Sequence, residues 1–148
     1  MSPIDSSLTT RAALEKWLLE FHESTASLDA KYCTERFFTR DVEVQYANNP
    51  TAQGIEQAQG FFDSAFNALD SMTHEIVYFD FVAPNKLYQA AKIQYVVKGD
   101  DSVKDVIAIP AMMTTWLVEE EGRLMIKRNE IYLDASAVFG RMHEKGLM

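Results

Sequence analysis

Cysteine is the scarcest resource in this 148-residue chain: Cys33 is the only one. That excludes an internal disulfide and any cysteine-built zinc or iron–sulfur cage. Glycine (six) and proline (four) are sparse and scattered, leaving no linker, repeat or low-complexity tract. No run of about 18 apolar residues exists, so no membrane span is expected. Met1 to Thr10 has neither a basic region nor an apolar run and does not read as a secretory signal. Positive charge is short as well, with 14 Lys+Arg against 22 Asp+Glu and a net charge of −8. Such a balance repels phosphate backbones and anionic lipid, and no basic patch stands out. The expectation is a cytoplasmic protein with neither nucleic-acid nor membrane partners.

Familiar catalytic motifs are missing too. His22-Glu23, His74-Glu75 and His143-Glu144 each begin like a zinc-protease helix, but Ala26, Tyr78 and Leu147 stand where the second histidine is required. There is no dinucleotide-binding glycine fingerprint, no P-loop and no nucleophile elbow. Neither a metal nor a cofactor is expected. Cys33 sits among apolar helix positions and reads as a buried, inert thiol.

Hydrophobic residues make up 47% of the chain, enough for one core and one domain over residues 1–148. Thr9 or Thr10 can cap a helix carrying Leu14, Trp17, Leu18 and Phe21 at helical spacing, which the serines and threonine of residues 24–27 weaken. Asp29 can cap a second, short helix through Cys33, Phe37 and Phe38. The period then changes to two: Val42, Val44 and Tyr46 share one face of a strand. A third helix runs from Gly54 to Leu69, with Ile55, Ala58, Phe62, Ala65, Phe66 and Leu69 as its stripe. Strands are expected over 74–82, 87–98, 103–118 and 123–133, punctuated by turn signals.

Along 106–117, Val106, Ala108, Met112 and Trp116 fall on one face, and Ile107, Ile109, Met113 and Leu117 on the other. A strand apolar on both faces must be covered on both. A homodimer is therefore expected, with a bulge or bend at Pro110. Residues 136–148 read as a tail, flap or short helix over a pocket mouth.

Helix–helix–strand–helix followed by four antiparallel strands is an α+β plan. Its details resemble the nuclear transport factor 2-like superfamily, in its SnoaL-like branch. The residues that carry the likeness are 37–44 (FFTRDVEV), Gly54-Ile55-Glu56, His74-Glu75-Ile76, and Glu121-Gly122-Arg123-Leu124 leading to Ile131-Tyr132-Leu133-Asp134. It spans roughly residues 10–135. The resemblance implies a cone-shaped α+β barrel, three N-terminal helices packed on a curved, mixed but mostly antiparallel sheet, with a pocket between them. The superfamily holds lyases, isomerases, hydrolases, cyclases and non-catalytic binders.

Chemistry-bearing residues should point into that pocket. Tyr46 is either a core tyrosine bonded to a backbone carbonyl or a donor to a carbonyl or enolate oxygen. His74 is either a strand-edge histidine satisfied by its neighbours or a general acid–base with an ordinary pKa of about 6.5. His22 reads as a semi-exposed surface histidine or an assisting group, and His143 as solvated. Trp17, Tyr46 and His74 resemble the tryptophan, tyrosine and histidine around the substrate of scytalone dehydratase, a cofactor-free enzyme with this fold. Phe21 and His22 replace that family's helix Tyr-Asp pair, and no second histidine occurs near Pro110. Tyr46-Ala47-Asn48 is similar to the water-holding Tyr-x-Asn of limonene epoxide hydrolase, and Asp134 falls near one of its catalytic aspartates. Lys92 and Gln94, however, occupy its Arg-x-Asp positions. Asp134 is either a strand-end cap or a further assisting group.

The expectation is a cofactor-independent lyase, isomerase or cyclase acting on a small apolar organic ligand, polyketide- or terpenoid-like, through an enol(ate). His74 and Tyr46 would carry it, with His22, Asn48 or Asp134 assisting and Trp17, Phe21, Val44, Phe62, Met113 and Trp116 shaping the cavity. The alternative is a binder or dimeric scaffold of the same fold, its pocket filled with side chains.

Overall fold

The computed structural model describes residues 3–148. After a 3-10 turn at Ser6–Leu8, the order is α1 (Arg11–Ala26), α2 (Ala30–Phe37), β1 (Phe38–Tyr46), β2 (Ala52–Gln53), α3 (Gly54–Asn67), β3 (Leu69–Val82), β4 (Lys86–Val97), β5 (Ile107–Glu120), β6 (Arg123–Tyr132) and α4 (Ser136–Glu144). Both expected caps form. The Thr10 side chain accepts from the Ala13 amide and Asp29 from the Tyr32 amide, each satisfying a first-turn N–H that the helix cannot.

One six-stranded sheet runs in the order β2-β1-β6-β5-β4-β3. β1 lies parallel to β6 and every other pairing is antiparallel. The β5–β6 hairpin closes on Glu121-Gly122, both with positive φ (53° and 75°), as a two-residue turn matched to strand twist demands. Helices α1 to α3 cover one face and bury Leu14, Leu18 and Phe37 against Val42, Leu117 and Ile126. A second cluster joins Phe66, Met72, Ile93 and Val97 to Val138 and Met142 of α4.

Three boundaries and one local feature differ from the sequence expectation. Helix α1 continues to Ala26, because Ser24 and Thr25 turn their hydroxyls back onto the carbonyls of Phe21 and His22. Leu69 opens β3 rather than closing α3. Residues 103–106 form a turn before β5, whose first residue is Ile107. Pro110 causes no bulge: it pairs in regular register with Lys92. The β6 ladder begins only at Met112↔Tyr132, so Pro110 lies where β5 has outrun that neighbour.

β5 keeps the expected alternation. Ile109, Met113 and Leu117 are buried, whereas Ala108 and Met112 are exposed on the opposite face. Tyr78, Ala90, Met112 and Tyr132 stand in register across four strands there. Three of them are prominent, at 57%, 39% and 56% exposure for Tyr78, Met112 and Tyr132. No helix among the described residues is long and apolar enough to cross a membrane.

Candidate functional site

Between the helices and the sheet lies a cavity with about 60 Å³ over which the centre of a water molecule can move. It is lined by His74 of β3, Tyr95 of β4, Met113 of β5, Tyr46 of β1, and Phe21 and Phe62 of the helices, among others. That much room holds several waters. The wall is predominantly aromatic and aliphatic, so its few polar groups stand out.

Two are phenols. The Tyr46 and Tyr95 hydroxyls lie 3.2 Å apart. Burial pushes both pKa values up, that of Tyr95 further because Tyr46 stands beside it. Both therefore remain neutral hydrogen-bond donors at ordinary pH. A mutual bond uses one hydroxyl hydrogen and leaves the other for an acceptor within the cavity. Left unmet, that hydrogen costs about 1–3 kcal/mol. Tyr46 is also packed by Phe61 at 5.2 Å and by the edge of Phe139 at 5.9 Å between ring centroids.

The third group is an imidazole pair. His74 is half-buried and lines the cavity. Its ring stacks on that of His22 at 4.4 Å and 10°. His22 is 6% exposed, a buried residue rather than the semi-exposed one expected, because α1 packs on β3 and the ring reaches Gln89 of β4. Its Nε2 meets Gln89 Oε1 at 2.5 Å, and its Nδ1 has no partner. Burial lowers both imidazole pKa values. The Gln89 bond opposes the shift at His22, and the repulsion that two protonated rings would meet deepens it at His74. Both rings are neutral at pH 7.

Other expected site residues lie elsewhere. Trp17 is in the core, its indole donating to the Leu124 carbonyl at 3.1 Å. Val44 packs in the same cluster. Trp116 is on the outer sheet face, with Lys86 and Arg128 near its ring. None of the three lines the cavity. Asn48 and Asp134 are exposed in an outer groove, separated from the cavity by Phe61 and Phe139, which line both. The Asp134 carboxylate accepts from the Ser136 amide at the start of α4.

Tyr95, Thr25 and Asn129 are on the cavity wall as well and were not anticipated. Tyr95 had a readable signal: it is in phase with Leu87, Ala91, Ile93 and Val97 on the buried face of β4. Cys33 reaches the wall, but burial raises its thiol to about 11 against the opposing bond from Ser24. Among the described residues, no three His, Cys, Asp or Glu side chains are grouped to hold a metal ion.

A cone of this order, with a helix-covered concave face and a pocket inside, matches solved structures closely. The chain has the SnoaL-like, nuclear transport factor 2-like fold. A scytalone dehydratase candidate from Novosphingobium aromaticivorans aligns with a TM-score of 0.72 at 16% identity, over 88% of this chain and 87% of that one. A SnoaL-like polyketide cyclase candidate from Jannaschia sp. gives 0.66 at 14%, over 94% and 93%. A hexachlorocyclohexane dehydrochlorinase gives 0.64 at 14%, over 86% and 87%. No protein-family model matches the sequence. No curated protein matches it. At these identities the SnoaL-like likeness concerns the backbone, and the chemistry must be argued from the side chains.

Proposed function

We propose that this protein is a cofactor-independent enzyme of the lyase, isomerase or cyclase kind, acting through the enolate of a small, largely apolar carbonyl compound. Polyketide- or terpenoid-like metabolites have the required character. One observation carries the reading: an apolar cavity whose wall holds a neutral imidazole together with a phenol pair that has a hydroxyl hydrogen to give. Solved structures of this fold named for dehydration, cyclisation and dehydrochlorination support it.

In this scheme the substrate carbonyl accepts from the Tyr46–Tyr95 pair. His74 removes the α-proton, and the C–H electron pair becomes the C=C bond of an enolate whose oxygen is held by the phenol. The enolate supplies the counter-charge that the new imidazolium otherwise lacks in its apolar surroundings. The proton then returns to a leaving hydroxyl in a lyase, or to a different carbon in an isomerase. Phe21, Phe62 and Met113 shape the space, while Asn48 and Asp134 belong to the approach rather than to the chemistry.

The enzyme works as a homodimer in the cytoplasm. The in-register apolar row on the outer face supports the pairing, and a lone buried thiol suits a reducing compartment.

Exchange of α-protons in D₂O tests the reading without knowledge of the natural reaction. Cyclic ketones such as α-tetralone and its hydroxylated analogues, followed by proton NMR, should lose α-proton signal above the buffer rate with wild-type protein. His74→Ala should fall by about a hundredfold or more, and Tyr46→Phe should also be slower. Equal exchange in wild type and His74→Ala would sink the assignment.

A further inference from the structure

The candidate base is embedded in a local hydrogen-bond chain whose polarity can be read. Thr25 Oγ1 donates to the His22 carbonyl at 2.9 Å, which uses its only hydrogen. The same oxygen lies 3.5 Å from His74 Nδ1, and toward that nitrogen it can only accept. A hydrogen bond across that contact requires His74 to carry its hydrogen on Nδ1, leaving Nε2 bare. The ring plane is fixed independently by the parallel stack on His22. The short contact to Gln89 Oε1 gives His22 the opposite arrangement, with its hydrogen on Nε2 and a bare, buried Nδ1.

We propose that Thr25 and His22, the latter anchored by Gln89, are positioning residues that hold His74 in the Nδ1–H tautomer, so that Nε2 is the atom that takes a substrate proton. Neither Thr25 nor His22 is asked to exchange protons with substrate. The proposal deepens the enolate reading above and rests on it for its catalytic meaning, while the tautomer itself stands or falls separately. His22 and Thr25 are three residues apart, hence on one face of α1, and that face meets β3 where His74 projects.

The test is a long-range ¹H–¹⁵N correlation spectrum of histidine-labelled protein at pH 7.5. It separates protonated from bare ring nitrogens, with His22→Gln and His74→Gln assigning the signals. His74 should show Nδ1 protonated and Nε2 bare, and His22 the reverse. Thr25→Ser should keep the His74 pattern, whereas Thr25→Val should shift it toward Nε2–H. In α-proton exchange, Thr25→Val should lower kcat by about ten- to a hundredfold at unchanged KM, with Thr25→Ser restoring it. An Nε2–H tautomer for His74 in wild type overturns the proposal, and so does a Thr25→Val spectrum identical to wild type. Should Thr25→Val not fold, the wild-type spectrum decides. Correct tautomers without any exchange would count against the enolate reading alone; exchange with Nε2–H would count against the positioning role alone.

Discussion

The stacked imidazoles, one buried and one half-buried, have a consequence for stability as well as for chemistry. Burial lowers both pKa values in the native state, whereas in the unfolded chain each returns to about 6.5. Below that value the unfolded state binds more protons than the native one, so stability must fall as pH falls. The contribution is complete above about pH 7.5 and declines progressively below about 6.5, each histidine adding up to about 1.4 kcal/mol per pH unit. Urea midpoints measured from pH 8 to pH 5 should therefore decrease, and His74→Gln should flatten the slope. Unchanged midpoints in wild type would mean that these rings are accessible to water. The same burial explains why the pair was hard to read in sequence. His22 follows Phe21 at the margin of an apolar stripe, and only the packing of α1 on β3 shows which side of that margin it occupies. Thr25, by contrast, continues the spacing 14, 18, 21, 25, and its hydroxyl disguised a helical core position as a helix breaker.

At the level of elements, caps and periodicity account for most of what forms. Removing the Thr10 cap by Thr10→Ala should cost about 1 kcal/mol, measured by urea unfolding, with no change in the α-proton exchange rate. Strands β1, β4 and β5 were legible because long stretches of each alternate in burial, as over Val42–Tyr46, Leu87–Tyr95 and Ile109–Leu117. The strand 52–53 was not: two residues are too few for a period. The cavity wall was legible only in part. Phase along a strand places Tyr46 and Met113 inside, but whether an inward residue meets the void or solid core depends on how the helices cross it. Trp17 and Val44 point inward and meet core. Trp116 is out of phase with the interior altogether, on the face shared with Met112. Helix α4 is secured from outside the cavity. Arg141 donates twice to the Asp100 carboxylate, at 2.9 and 2.7 Å, and Lys145 reaches it at 2.7 Å. The Asp100 side chain is only 3% exposed; these two cations hold its carboxyl well below the usual carboxylate range. Asp100→Asn should loosen α4 while leaving the sheet intact. Amide exchange in 137–145 should accelerate with little change in β4 to β6, and uniform acceleration across the chain would refute a local clamp.

For the whole molecule, the decisive feature is a sheet with two different apolar faces. One is closed by helices; the other presents Tyr78, Met112 and Tyr132 in one register row, with Lys86, Arg128 and Glu130 in neighbouring rows. Such a face suits a second copy, since charges of both signs flank an apolar centre. Met112→Glu should halve the mass seen in native mass spectrometry while sparing the helix content measured by circular dichroism. A wild-type protein of single-chain mass would remove the dimer. The cavity itself is completed by α4, which contributes Val138, Phe139 and Met142 to its wall. The nine residues of α4 are translated after all six strands. Until the ribosome has released them, the aromatic lining stays open on one side, so the nascent chain should engage hydrophobic-binding chaperones until α4 has docked.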